Sequence, residues 1–176
     1  MKKLYVDMSE IKGGFGIAEE DDTEILMSGV IIESMLIEKR DENKKFYRKY
    51  KEEYDIRFIF DDDIPNISFF TIPEFYMIAS DSDGGYIGGI GSGFELWDSN
   101  PIYYISSELK CYLINKSSKK FMKSPKGWRS SLMPCDKITI YKSKAEAEKY
   151  VDFLDINDEL KDLPTLEDLF AEDVIF

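Results

Sequence analysis

The chain contains no histidine among its 176 residues. Histidine is the usual acid/base side chain near neutral pH and a frequent zinc ligand. Its absence excludes Ser-His and Cys-His catalysis and every zinc site that uses imidazole. The two cysteines, Cys111 and Cys135, are too few for a four-thiolate zinc site. Several large classes of hydrolase and metalloenzyme are therefore excluded, and we predict no catalytic residue, no cofactor and no metal ion.

Long hydrophobic segments are also lacking. After Met1-Lys2-Lys3 the apolar run ends at Asp7, far short of the roughly 7–15 residues of a signal-peptide core. No segment approaches the about 18 apolar residues that a membrane-spanning helix needs. Two isolated cysteines are a poor disulfide framework for a secreted protein. We therefore expect a cytoplasmic protein that does not enter a membrane.

Basic residues are scarce relative to acidic ones. The chain has 23 Lys and Arg against 35 Asp and Glu, for a net charge of −12. This charge opposes binding to nucleic-acid backbones and anionic lipid, and it favours a cationic protein partner. The same net charge is also explained if it serves only to keep the protein soluble. The charge alone therefore does not decide between a cationic partner and solubility. The hydrophobic content of 43% is that of a globular protein, and we expect a single domain over residues 1–176.

The first third of the sequence predicts one strand and two helices. Lys3–Met8 alternates weakly, as a strand does. From Asp22 onward apolar residues recur every three or four positions, which predicts a helix; a buried strand over Val30–Ile37 is the alternative. A second helix is amphipathic, and its core-facing aromatic stripe consists of Phe46, Tyr50 and Tyr54.

The middle of the sequence predicts a meander of short strands separated by Gly- or Pro-containing turns. The candidate strands are Ile56–Phe60, Ile67–Ile72, Phe75–Ala79, Tyr86–Ile90, Phe94–Trp97 and Ile102–Ile105. The intervals are too short for the crossover helices of a parallel sheet. The predicted fold class is α+β: a mostly antiparallel sheet of about six short strands with helices packed on one side.

The last third predicts a lysine-rich stretch between short elements. The elements are a helix after Ser106, a strand at Ile138–Tyr141, a helix from the capping box Ser143–Glu146 to about Leu154, and a short helix over Pro164–Phe170. Five lysines and Arg129 lie within residues 116–129, with Phe121 and Trp128 interleaved. This stretch is the best nucleic-acid candidate in the chain. In so acidic a protein, a solvated loop that balances the acidic faces is the simpler interpretation.

The sharpest local pattern is the strand Phe75–Ala79 followed by Ser80-Asp81-Ser82-Asp83-Gly84-Gly85. A strand that delivers Asp-x-Asp-Gly is typical of magnesium-dependent phosphatases of the haloacid-dehalogenase type, in which one aspartate attacks phosphorus. The sequence does not fit an EF-hand calcium loop starting at Asp81, because Gly85 and Ser92 stand where the loop needs a side-chain ligand and a bidentate glutamate. The remaining interpretation is a hairpin turn in which Asp and Gly supply the backbone angles.

The run from Phe69 to about Phe121 resembles the SUKH superfamily (Smi1/Knr4-like). The resemblance is carried by Ile72-Pro73, the strand Phe75–Ala79, the turn and strand from Asp81 to Ile87, and Pro101–Ser106. It covers about a third of the chain. The resemblance implies an α+β binding scaffold without chemistry, and many such proteins are bacterial immunity proteins encoded beside toxins that are often nucleases.

This resemblance and the charge together give the functional hypothesis. We expect a non-enzymatic immunity protein whose acidic face attracts a basic, nuclease-type toxin. The predicted partner-binding residues are Asp81, Asp83, Tyr86, Glu95, Trp97 and Asp98. A regulatory or scaffolding protein without a toxin partner is the first alternative, and a magnesium-dependent phosphatase using Asp81 and Asp83 is the second.

Overall fold

The computed structural model describes residues 1–11, 22–91 and 93–156. The strands are β1 Lys2–Asp7, β2 Thr23–Ser28, β3 Val30–Ile32, β4 Arg57–Phe58, β5 Phe70–Ile72, β6 Phe75–Ser80, β7 Tyr86–Ile90, β8 Ile102–Ile105, β9 Cys111–Asn115, β10 Met133–Pro134 and β11 Thr139–Tyr141. The helices are α1 Ile37–Glu42, α2 Lys44–Tyr54, α3 Ser118–Lys123 and α4 Lys144–Ala147. The segment Gly13-Gly14-Phe15-Gly16, whose glycines predict a loop, lies outside the described residues, as does the predicted helix Pro164–Phe170.

The main sheet has seven strands in the order β10-β9-β8-β7-β6-β3, and β4 pairs with the far end of β6. Five of the six strand pairs are antiparallel, and β3 runs parallel to β6. The α+β class is confirmed, but the sheet is mixed rather than purely antiparallel. The connection from β3 to β6 carries α1 and α2, which makes it long enough for the crossover that a parallel pair needs.

Two small sheets lie beside the main one. β1 pairs in parallel with β2, and β5 pairs antiparallel with β11. Phe153 joins them: it forms an isolated bridge with Tyr5, and its ring lies 5.5 Å from that of Phe70. The N-terminal strands are therefore tied to the last described part of the chain.

The two faces of the main sheet bury different hydrophobic clusters. One cluster contains Tyr50 from α2 and Phe121 and Met122 from α3, packed on Ile78 and Ile87 of the sheet. The cluster on the other face contains residues of the strands and loops, with β11 beside it. The predicted placement of helices on one side of the sheet is confirmed for α2 and α3. The aromatic stripe of α2 faces the core, as predicted.

The predicted helix from Asp22 is wrong. The segment forms β2 and β3, separated by Gly29 at φ +92°. The alternative strand is confirmed for Val30–Ile32. The three- and four-residue spacing of the apolar side chains does not decide here, because β1 supplies a pairing partner over the whole length of β2.

The predicted helix after Ser106 is also wrong. Leu109 donates its backbone N–H to the carbonyl of Ser106 (2.9 Å) in a tight turn, and the chain continues as β9. The side chains along β9 point alternately to the two faces of the sheet, so that Cys111 packs in one hydrophobic cluster and Ile114 in the other. Such alternation is the pattern of a strand buried on both faces.

Two shorter predictions are corrected as well. Phe94–Trp97 forms a loop instead of a strand. The cap of α4 is confirmed, because the Ser143 hydroxyl accepts the backbone N–H of Glu146 at 3.2 Å, but α4 ends at Ala147 rather than near Leu154. Among the described residues, no helix combines the length and the apolar character needed to cross a membrane.

Candidate functional site

Asp81 organises the turn between β6 and β7 from inside the protein. Its side chain has no exposed surface. One carboxylate oxygen accepts the backbone N–H groups of Asp83 (3.0 Å) and Gly85 (2.7 Å). The other accepts the hydroxyl of Tyr104 at 2.6 Å. Burial and this hydrogen bond raise the pKa of Tyr104 to about 12. The carboxylate of Asp81 is therefore fully occupied within the fold.

Arg129 links three carboxylates around this turn. Its Nη2 lies 2.9 Å from Asp81 Oδ2 and 2.7 Å from Asp55 Oδ2, and its Nη1 lies 3.5 Å from Asp83 Oδ2. The guanidinium stacks 4.5 Å above the ring of Trp128. Although burial acts to lower the pKa of Arg129, its hydrogen bonds raise it. We call Asp55, Asp81, Tyr104 and Arg129 the Arg129 network.

Asp55 ends α2 in the left-handed region, with φ at 54°. It accepts the backbone N–H of Ser82 at 3.1 Å and the Ser82 hydroxyl at 2.6 Å. Burial acts to raise the pKa of Asp55, but the hydrogen bonds from Ser82 and Arg129 outweigh it, and the pKa lies below its usual range. The network therefore joins α2, the β6–β7 turn and the segment after α3.

This geometry gives Asp81 a structural role. A phosphatase nucleophile needs a carboxylate oxygen that an incoming phosphate can reach, whereas Asp81 is buried and hydrogen-bonded on both oxygens. Within the described residues, no group of three or more Asp, Glu, Cys or His side chains is arranged to hold a metal ion. Asp81 is likewise unable to contact a docking protein, which corrects its predicted place on the partner-binding surface.

The six predicted binding residues do not form one surface. Asp83 is exposed in the turn that precedes β7, whereas Glu95, Trp97 and Asp98 follow the other end of β7. Tyr86 is half-buried and lies against Phe69 with ring centroids 5.7 Å apart. Its neighbour Ile87 faces the opposite side of the sheet. The structure thus leaves a group of three predicted residues in the loop between β7 and β8.

Trp97 lies at a groove of about 320 Å³, which we call the Trp97 groove. The side chain of Trp97 is 57% exposed. Apolar residues line the groove: Met35, Phe58, Ile78, Phe94 and Leu96. Glu33 and Glu95 are exposed at its edge. Neither glutamate has an ion-pair partner in the part of the chain that the structure describes. An exposed tryptophan beside an apolar groove with free carboxylates is suited to binding a basic protein surface.

The loop that carries Trp97 is fixed by α3. Buried Ser118 donates its hydroxyl to the carbonyls of Glu95 (3.1 Å) and Asp98 (2.9 Å), and the N–H of Lys119 donates to Asp98 O (3.0 Å). Leu96 and Phe94 pack against the core. The loop is therefore anchored on both sides of Trp97, which keeps the indole at the surface.

The groove residues that lie outside the loop between β7 and β8 were not predicted from the sequence. Glu33 and Met35 follow β3, and Phe58 belongs to β4. They reach Trp97 because β3 and β4 both pair with β6. The parallel pairing of β3 was not predicted, so no signal in the sequence placed Glu33 near Glu95.

A second cleft, of about 630 Å³, lies between α2 and the strand β4. Its walls carry both signs of charge: Arg40, Lys44, Arg48, Lys51 and Arg57 against Asp41, Glu52 and Asp63. Arg40 is bound by both carboxylate oxygens of Asp62, at 2.9 and 2.8 Å. Arg57 pairs with Asp55 at 3.5 Å. The charges that line this cleft are therefore mixed in sign and partly paired.

The lysine-rich stretch contacts the Trp97 loop at the start of α3. No acidic residue occurs between Glu108 and Asp136. The exposed lysines there are Lys110, Lys116, Lys119, Lys120, Lys123 and Lys126. Phe121 is 2% and Trp128 is 4% exposed. Both rings are therefore buried and unable to stack on nucleic-acid bases, and part of the predicted loop is the helix α3.

Comparison with known proteins adds no assignment: no protein-family model, no curated protein and no solved structure matches this chain. The resemblance to the SUKH superfamily therefore stays a prediction.

Proposed function

We propose that this chain is a non-enzymatic protein-binding domain that receives a basic protein at the Trp97 groove. The observation that carries the proposal is Trp97, which is 57% exposed beside an apolar groove edged by Glu33 and Glu95. Tryptophan is the residue type most enriched at binding hot spots, and apolar surroundings let it exclude water on docking. The net charge of −12 supports a cationic partner.

The partner in this proposal is a toxin of the nuclease type, which makes the chain an immunity protein. A nucleic-acid-cleaving protein carries a basic surface for phosphate, and an acidic surface attracts it over long range. Such a toxin acts where nucleic acid is present, so the proposal also places the chain in the cytoplasm. A regulatory or scaffolding protein would use the same groove without neutralising anything. The product of the adjacent gene distinguishes the two, because only a toxin is inhibited by binding.

We expect Trp97→Ala to weaken binding about thirtyfold, since hot-spot residues contribute about 2 kcal/mol or more. The measurement is calorimetric titration with the purified product of the adjacent gene. Tyr150→Ala is the matched control, because Tyr150 is 72% exposed and lies outside the groove. Equal affinities for Trp97→Ala and the unmodified chain would exclude the groove as the binding site.

The carboxylates at the groove are expected to act mainly on the association rate. Replacing Glu33 and Glu95 by glutamine should slow association several-fold in low salt and reduce its salt dependence, because long-range attraction steers encounter. Stopped-flow mixing at two salt concentrations measures both effects. The control is the pair Glu108→Gln and Glu148→Gln, which removes the same charge from exposed positions outside the groove. An equal loss in the control pair would assign the steering to net charge instead of the groove.

A further inference from the structure

Cys111 in β9 and Cys135 directly after β10 are far apart in the sequence but close in the fold. β9 and β10 pair Leu113 with Met133 and Tyr112 with Pro134, and continuing this register by one position would set the two cysteines opposite each other. The backbone N–H of Cys135 donates to the carbonyl of Cys111 at 3.0 Å. Directly opposed residues of an antiparallel pair have Cα atoms about 4.5–5.5 Å apart. That separation is within the range of about 4.4–6.8 Å that a disulfide spans.

Both cysteines are free thiols, and both pack in the same hydrophobic cluster. Cys111 is buried and Cys135 is partly exposed. Both line a surface cleft of about 440 Å³ together with Lys110 and Pro134. Cys135 is therefore the cysteine that is accessible from solvent at this cleft.

The surroundings give the two sulfurs different reactivity. The backbone N–H of Lys137 donates to Cys135 Sγ at 3.5 Å, and Cys135 is the more exposed of the two residues, so an external reagent reaches it more readily. Burial and, to a smaller extent, the neighbouring Cys135 raise the pKa of Cys111 to about 12. Cys135 is therefore the thiol that reacts first with an external reagent, and Cys111 reacts second.

We propose that Cys111 and Cys135 form a dithiol site that small-molecule disulfides oxidise to a cross-strand disulfide. In the first step the Cys135 thiolate attacks one sulfur of the small disulfide, forming a mixed disulfide and releasing one thiolate. In the second step Cys111 gives its proton to solvent or to the released thiolate and attacks Cys135 Sγ, which expels the second small thiol. In total, the two cysteine thiols are oxidised and one small disulfide is reduced to two thiols.

The product would join β9 to the segment that enters β11. The intervening chain carries α3 and Arg129, and closing it covalently limits the freedom of the unfolded chain. Oxidation is therefore expected to raise the urea midpoint of the protein, and reduction with dithiothreitol is expected to return it.

Incubation of the folded full-length chain with glutathione disulfide tests the proposal by intact-protein mass spectrometry. We expect the mass to fall by two hydrogens, with a Cys111–Cys135 peptide found after non-reducing digestion. A stable adduct with one or two glutathiones, a disulfide-linked dimer or an unchanged mass would each overturn the proposal.

Single-cysteine variants test the order of reaction. Cys111→Ser is expected to hold one glutathione on Cys135, because the second thiol is missing. Cys135→Ser is expected to stay unmodified at Cys111 as long as it is folded. Circular dichroism checks folding, and Cys111→Ala replaces Cys111→Ser if the hydroxyl is not tolerated in the buried position. Faster modification of Cys111 than of Cys135 in the folded variants would contradict the assigned roles.

Discussion

Replacing Asp81 by alanine is expected to lower the free energy of unfolding by about 3 kcal/mol or more, because it leaves buried hydrogen-bond donors without their acceptor. The Tyr104 hydroxyl and the backbone N–H of Gly85 lose their acceptor. Arg129 keeps Asp55 and Asp83 but loses its buried partner. Unpaired buried donors cost about 1–3 kcal/mol each. Urea unfolding followed by tryptophan fluorescence measures the change.

Asp83→Ala is the matched control in the same turn. Its side chain is 71% exposed and lies 3.5 Å from Arg129 Nη1, and exposed ion pairs contribute about 0–1 kcal/mol. We therefore expect a change of less than about 1 kcal/mol for Asp83. Similar losses for the two variants would show that the turn, rather than the buried carboxylate, sets the stability. Neither Asp81 nor Asp83 lines the Trp97 groove. An Asp81→Ala protein that is folded should therefore still bind the proposed basic protein.

The β6–β7 hairpin could be predicted from the sequence because its signals are local. A strand, a turn rich in Asp and Gly, and a second strand follow each other within residues 75–90, and the structure places them there. The role of Asp81 could not be predicted in the same way. Its partner Arg129 is 48 residues further along the chain, and only the folded sheet and α3 bring the two together.

The two segments that were wrongly predicted to be helices have a spacing of apolar residues that fits both a helix and a strand. In β2 and β9 the hydrophobic residues match a helical face and a strand equally well, and the choice is made by a neighbouring strand. The helix α2 was predicted correctly, since its aromatic residues recur at four-residue intervals and charged residues occupy its other faces.

The candidate site was predicted in part. Glu95, Trp97 and Asp98 are exposed together, because their loop follows a strand with a glycine-rich end. Tyr86 lies apart from these three residues: it is half-buried against Phe69, on the face of the sheet opposite to that of Ile87. The residues that complete the groove come from β4 and the segment after β3, and their approach depends on strand pairing that the sequence did not reveal.

Gly88→Ala is expected to destabilise the protein by about 3 kcal/mol or more, because the added methyl group has no space. A Cβ atom at this position would lie 1.9 Å from the carbonyl oxygen of Tyr76 and 2.9 Å from the ring of Phe75. The first contact is with backbone of the neighbouring strand β6, which cannot turn away as a side chain can. Thermal unfolding measures the loss, and an unchanged midpoint would show that β6 shifts freely here.

In Gly89→Ala the added methyl group would clash with a side chain of the Trp97 loop instead of with the backbone of β6. We therefore expect this substitution to affect binding more than stability. Its Cβ atom would lie 2.0 Å from the ring of Phe94 and 2.7 Å from the Phe94 Cβ atom. Phe94 lines the Trp97 groove, so its displacement moves the loop that carries Trp97. We expect binding to the proposed basic partner to fall at least as far as in Trp97→Ala, with a smaller loss of stability than in Gly88→Ala. A Gly89→Ala protein that is folded and binds normally would mean that the shape of this groove is not what the partner recognises.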